Sequence, residues 1–402
     1  MPVINAVLSL TGPKLAGADR KSGLELGQPL CGTVWRVQVT IDDQIFVAQR
    51  HGGISRYFTE LITAFRDSPE LEVETVTPFR YVLSEHLIER DPHRYSKPPL
   101  PSKAQRRKVL RTLNLIQPLA RRGHPEIMHH TYYFAEYLRR PAAARVCTIY
   151  DMIPEHFPEL FPSGNPHNAK DLYVNTCDAI LCISNTTKID VLRHYGALDK
   201  PVVVTPLGVG EEFFSAPAVR AVAQPYVLFV GQRKGYKNFD TLLRAFSRMS
   251  PPQRSVRLLC VGGSPFDQAE VARIASLNLQ NRVTHRTVAD GDLPALYATA
   301  ICFVFPSLYE GFGLPIVEAF AAGCPVILAE MECSVEVGAD AAQFFGANDD
   351  ETLAEIIGRM VDDPASRTRW IAEGRKRALD FSWYKTAKLT QEVYRSLGRE
   401  GR

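Results

Sequence analysis

Short apolar runs alternate with amphipathic stretches along most of this chain. Val34 to Ile41 (VWRVQVTI), Leu71 to Thr77 (LEVETVT), Glu126 to His130, Ala144 to Tyr150, Asp178 to Ile183 and Lys200 to Thr205 read as strands. A second series lies near 226–230 (YVLFV), 256–261, 282–285, 301–305 and 325–329. The intervening stretches have helical spacing. Ile54, Phe58, Leu61, Ile62 and Phe65 share one face, and FDTLLRAF at 239–246 reads as a helix. Further helices are predicted near 266–277, 292–299 and 314–322. Asp42 to Arg50 reads as a loop. Regular strand–helix alternation predicts an α/β protein with parallel sheets. Ser215 to Pro225 (SAPAVRAVAQP), small and bounded by Pro, reads as a linker. The expected organisation is a loose extension at 1–32, one domain at 33–214, a second at 215–382 and a final helix at 383–402.

The most informative stretch is Phe305 to Ile327, FPSLYEGFGLPIVEAFAAGCPVI. A buried-type strand ends at Pro306. A loop containing Glu310, Gly311, Phe312 and Gly313 follows. Pro315 suits the first helical turn, where its missing N–H has no helical partner, and Gly323 suits a left-handed helix end. This unit sets two carboxylates, Glu310 and Glu318, at one mouth beside a helix N-terminus. Free N–H groups and a partial positive charge there favour phosphate, and ionised carboxylates accept hydrogen bonds from sugar hydroxyls. Taken singly, either Glu is equally well explained as a helix-stabilising first-turn residue.

Other positions carry weaker signals. His51-Gly52-Gly53 precedes a helix, as a phosphate- or sugar-cradling turn does and as many ordinary turns do. His129 and His130, then Tyr150 and Asp151, end two strands, where ligands of doubly wound sheets bind. A His pair at such a place is structural or catalytic. Gly231 to Asn238 (GQRKGYKN) puts cations between a strand and a helix, which suits a diphosphate or simply solvent. Asp290-Gly291-Asp292 has the Asp-x-Asp form of metal-dependent sugar transferases of another fold. Because LPALYATA follows, Asp292 reads better as an N-cap. Gly262-Gly263 lacks the full dinucleotide fingerprint. No metal site is assigned.

Composition narrows the class. The 402 residues include 45% hydrophobic and 23% charged residues, ordinary for a globular chain of two domains. A net charge of +3 gives no argument for nucleic acid. The eight cysteines are scattered, without a C-x-x-C pair, and read as buried thiols in a cytoplasmic protein. No apolar run is long enough to span a bilayer. Lys103 to His124 is basic and free of acids. It fits an amphipathic helix on an anionic membrane, or a solvated helix face, interrupted at Pro118.

PSLYEGFGLPIVEAFAAGCPV, with Glu310 and Glu318 separated by seven residues, resembles the Glu-x7-Glu motif of the retaining glycosyltransferases of family 4. QRHGGISRYFTEL at 49–61 is similar to that family's N-domain glycine loop, particularly in bacterial polysaccharide and O-antigen mannosyl- and rhamnosyltransferases. The resemblance runs from about Val34 to the C-terminus. It implies a GT-B fold: two Rossmann-like domains facing across a cleft, with the last helix crossing back to the first domain. It implies transfer of a hexose, mannose from GDP-mannose being the best match, to a glycan or polyprenyl-linked acceptor. UDP-sugars and GDP-rhamnose are the alternative donors, and no metal is required. By the resemblance, Glu310 contacts the transferred sugar and Glu318 the ribose. Arg233 and Lys237 hold the diphosphate, assisted by the backbone at Phe312, Gly313 and Leu314. Gly52 and Gly53 close on donor and acceptor, Gly208 brings backbone near the donor, and Val288 lies near the base. Asp151 is assigned a sugar-positioning role at the catalytic centre, and His130, read from its place at a neighbouring strand end, is a catalytic candidate beside it. The family's His-Asp segment has Tyr150 where His is common. The implied route is front-face, with the departing phosphate taking the acceptor proton.

Two rival readings use the same residues. A glycoside hydrolase would employ Glu310 and Glu318 as acid and nucleophile but has no use for the Arg233/Lys237 loop. A non-catalytic nucleotide-sugar binder would keep the fold without needing both carboxylates and both cations.

Overall fold

The computed structural model describes residues 36–97, 125–162, 164–165, 167–217, 222 and 224–400. The expected extension at 1–32 and the basic segment at 103–124 lie outside them.

The first sheet comprises β1 (Val37–Ile41), β2 (Val73–Val76), β3 (Ile127–His130), β4 (Ala144–Ile149), β5 (Ala179–Cys182) and β6 (Val202–Val204). They pair in parallel in the order β2-β1-β3-β4-β5-β6, with Val39 opposite Ile127 and His129 opposite Val146. The second sheet comprises β7 (Tyr226–Val230), β8 (Arg257–Val261), β9 (Val283–Arg286), β10 (Cys302–Phe305), β11 (Val326–Ala329) and β12 (Gln343–Phe345). Its order is β12-β11-β10-β7-β8-β9, again parallel. Strands β3, β5, β10 and β11 are buried along their whole length, as strands covered on both faces must be. The strand order reverses between β1 and β3 in one lobe and between β7 and β10 in the other. Such switch points are where open α/β sheets bind ligands.

Five helices matter below: α1 (Gly53–Asp67), α2 (Asn185–Tyr195), α3 (Phe239–Arg248), α4 (Leu314–Ala321) and α5 (Trp383–Glu400). Helix α1 buries Tyr57, Phe58, Leu61 and Phe65, while the expected face residues Ile54 and Ile62 are only partly covered. The buried face is rotated towards Tyr57 because α5 packs there: the Tyr57 and Trp383 rings lie 6.1 Å apart. Helix α5 crosses from the second lobe to the first, as expected of a GT-B chain. The Tyr394 hydroxyl lies 2.6 Å from His129 Nδ1, and Gln391 donates to the Leu71 carbonyl. Burial pushes the His129 imidazole down to about 3, so the neutral ring is a fixed packing group of this junction.

The expected loop at 42–50 instead contains a short helix, Gln44–Ala48, with Gln44 to Val47 buried. The Asp42 carboxylate accepts from the Gln44 side chain at 2.6 Å and the Thr131 hydroxyl at 2.6 Å, which turns the chain inward at once.

Candidate functional site

The site is assembled where the two sheets' carboxyl ends face each other. After β10, the segment 306–313 carries Glu310 to the start of α4. Gly313, at φ +89°, turns the backbone into the helix in a conformation that L side chains rarely adopt, and Pro315 occupies the first turn as expected. Gly311 has a different constraint. A Cβ there would sit 1.7 Å from the Tyr150 carbonyl oxygen, so the lack of a side chain permits this loop to abut the first lobe. The Ser184 and Thr187 hydroxyls donate to the Gly311 carbonyl at 2.5 and 3.1 Å. Glu336 accepts from the backbone N–H groups of Asn185 and Thr186 at the N-terminus of α2, at 2.8 and 2.9 Å. The Tyr309 hydroxyl donates to Asp190 at 2.7 Å. The lobes therefore meet through several directional contacts beside Glu310.

Lys237 comes from a tight turn after β7, Gly235–Lys237, followed by Asn238 at φ +52°. Its ammonium lies 2.6 Å from Glu310 Oε1 and 5.6 Å from the centre of the Phe305 ring. One lysine N–H is used by Glu310, which leaves two donors for a ligand. Glu310 is 8% exposed.

Glu318 is 3% exposed, and its partners were not anticipated. Arg56 of α1 reaches across from the first lobe, Nη1 lying 2.6 Å from Glu318 Oε1 and Nη2 3.1 Å from Glu212 Oε1. The Tyr297 hydroxyl donates to Glu318 Oε2 at 3.3 Å. Burial pushes the Glu318 carboxyl up to about 7, outweighing the attraction of Arg56 and the Tyr297 hydrogen bond. Burial also works against the Arg56 charge, but Glu318 and Glu212 hold that guanidinium above its usual value. Arg56 sits three residues past Gly53 in GGISRYF. Nothing in its local pattern distinguishes it from a solvated helix residue.

Arg233 is directed elsewhere. Its Nε donates to Glu270 at 2.8 Å, Nη1 to the Gly262 carbonyl at 3.1 Å, and Nη2 to the Ser264 carbonyl, while the guanidinium lies 4.8 Å from the Phe266 ring centre. The structure thus brings Lys237 to Glu310 and Arg56 to Glu318, and pairs Arg233 within its own lobe. The sequence shows two cations on one loop but not that Glu270 stands opposite one of them.

In the first lobe, His130 is 1% exposed. Its Nδ1 lies 2.8 Å from Asp42 Oδ2, and its Nε2 has no hydrogen-bond partner among the described residues. Asp151 follows β4 and accepts from the Ile153 N–H at 3.0 Å, while the Tyr150 hydroxyl donates to the Thr131 carbonyl at 3.0 Å. Gly52 is extended and its absent side chain leaves room for Gln49; Gly53 opens α1 with free space around it. At Gly208 a Cβ would lie 2.2 Å from the Trp383 backbone nitrogen, so this glycine makes room for the returning chain at α5. Phe312 is buried, its ring 5.6 Å from that of Phe381, and its carbonyl accepts from Cys333. Leu314 and Val288 are partly buried against the same core. Asp292 precedes its helix in αR geometry and makes no side-chain cap, contrary to expectation. The turn Asp290–Asp292 already leads into the helix and holds the carboxylate away from its N–H groups.

Two family models match consecutive parts of the chain: Glycosyltransferase Family 4 at residues 51–213 and Glycosyl transferases group 1 at residues 211–377. The chain is similar to O-antigen chain mannosyltransferase B of Escherichia coli, 27% identical across 70% of this chain and 77% of that one. It is also 31% identical to the MMP alpha-(1->4)-mannosyltransferase of Mycolicibacterium hassiacum, across 54% of this chain and about half, 53%, of that relative. The crystal structure of HepE from Anabaena in complex with UDP and glucose shares the fold, with TM-score 0.68 at 18% identity over 90% of this chain and 100% of that one.

Proposed function

From the premise that the chain belongs to the group 1 and family 4 glycosyltransferases of GT-B fold, we propose that it moves mannose from GDP-mannose, with retention, to a glycan or lipid-linked acceptor in surface-polysaccharide synthesis. The mannosyltransferase relatives support the sugar. The observation that carries the reading is the Lys237–Glu310 contact at 2.6 Å, beside the N-terminus of α4. A leaving diphosphate develops negative charge as the glycosidic bond breaks. Lys237 and the N–H groups near Phe312, Gly313 and Leu314 supply fixed positive charge at that point, and no metal is needed for transfer. Glu310 orients the transferred sugar. The ribose diol takes over Glu318 from Arg56, which keeps Glu212 as its partner. Asp151 takes the sugar-positioning role, and His130, buried against Asp42, acts behind it at the neighbouring strand end. In this state Arg233 reaches the diphosphate only by giving up Glu270.

The test is a thermal-shift comparison of GDP and UDP, followed by transfer from GDP-mannose in EDTA and determination of the product anomer. Stabilisation by GDP, transfer in EDTA and an α-linked product are expected. Stabilisation by UDP alone overturns the donor, loss of transfer in EDTA overturns the metal-free mechanism, and an inverted anomer overturns retention.

A further inference from the structure

Three side chains beside the site play no part in the chemistry above. His51 lies in the turn before α1, His86 in the helix Glu85–Arg90, and Asp290 in the turn after β9 of the second lobe. One ligand atom from each lies within 4.8 Å of the other two. His86 Nδ1 is 3.6 Å from Asp290 Oδ2, and the His51 and His86 rings meet edge-on at 5.8 Å. The contact between His86 and Asp290 already turns a ring nitrogen and a carboxylate oxygen towards each other across the two lobes. They come from segments far apart in sequence, and they belong to two lobes. Beside them is a cavity of about 260 Å³, where Glu60, Glu89, Glu212 and Asp290 outnumber Arg56 and Arg90.

We propose that His51, His86 and Asp290 form a binding site for a borderline divalent cation, zinc(II) fitting best, that bridges the two lobes. Two imidazoles and one carboxylate are a donor set that zinc takes in tetrahedral geometry, with water in the fourth position. Tetrahedral ligands at zinc distances stand about 3.3 Å apart. The His86–Asp290 separation of 3.6 Å is close to this, and the exposed His51 side chain, within 4.8 Å of the other two, needs to move inward by at most about 1.5 Å. The ion is not part of sugar transfer. Because its ligands belong to different lobes, it binds only when they are together, and by linkage it favours that state. This assignment rests on geometry alone and stands whether or not GDP-mannose is the donor.

The test uses the full chain, stripped of metal with EDTA and then desalted. Zinc is titrated by calorimetry, and cobalt(II) replaces it as a probe whose visible absorption reports tetrahedral ligation. One ion per chain is expected, with a rise in melting temperature. His51→Ala, His86→Ala and Asp290→Ala should each weaken binding at least about tenfold. Absence of binding overturns the site, as does unchanged binding in the His86→Ala variant. Loss in both histidine variants with full retention in Asp290→Ala overturns the bridging.

Discussion

Replacing Glu318 by Gln tests the electrostatics of the site without reference to any substrate. The carboxyl is buried and pushed up to about 7 from an ordinary 4.5, with burial the largest cause. Holding it there corresponds to about 3 kcal/mol in favour of the protonated form of the folded state. The sign follows from which state binds the proton more tightly. Between pH 4.5 and about 7 the folded protein is protonated at Glu318 while the unfolded chain is not. The contribution is therefore fully present below the unfolded value and is lost as pH rises through about 7. Glutamine keeps the shape and does not titrate. Urea-unfolding free energies of both proteins, measured at intervals from about pH 5 to 8, should diverge. Relative to Glu318→Gln, the wild type should lose about 2.5 kcal/mol over that range. Parallel curves would refute the claim that burial outweighs Arg56.

Lys237→Ala should leave the fold intact and lower kcat by about a thousandfold, the loss typical of one preorganised donor; normal turnover with an unchanged melting curve would remove Lys237 from the site. Gly208→Ala drives a Cβ to within 2.2 Å of the Trp383 nitrogen and should cost about 1–3 kcal/mol, read as a lower denaturation midpoint. Tyr394→Phe leaves His129 Nδ1 buried without its 2.6 Å partner and should cost about 1–3 kcal/mol by the same measurement.

Much of the architecture is legible in the sequence because parallel strands covered on both faces are largely apolar, as β5, β10 and β11 are throughout, whereas β3 (IMHH) ends in two buried histidines. Punctuation is legible where backbone geometry demands it: Pro315 in the first turn of α4 and Gly323 at positive φ stand where the pattern puts them. Side-chain direction is another matter. Arg233 and Lys237 look like a pair in one dimension, yet Glu270, on a different helix, draws Arg233 away. Arg56 looks like a surface residue until its partner in the other lobe is seen. The buried face of α1 includes Tyr57 because of a helix more than three hundred residues later, which no local periodicity encodes. Asp292 had the right residue type for a cap, but a preceding turn fixed its geometry first.

The returning helix has a consequence for biosynthesis. The first lobe contains the earliest described strands, but part of its covering, including Ala387, Thr390 and Tyr394, comes from residues made after the second lobe's strands. While the ribosome is translating the second lobe, Phe65 and His129 still lack their neighbour Tyr394. The nascent first lobe therefore stays incompletely covered until residues 383–400 emerge. Expressed separately up to residue 217, it would remain sticky, and a synthetic peptide spanning α5 added in trans should rescue its solubility.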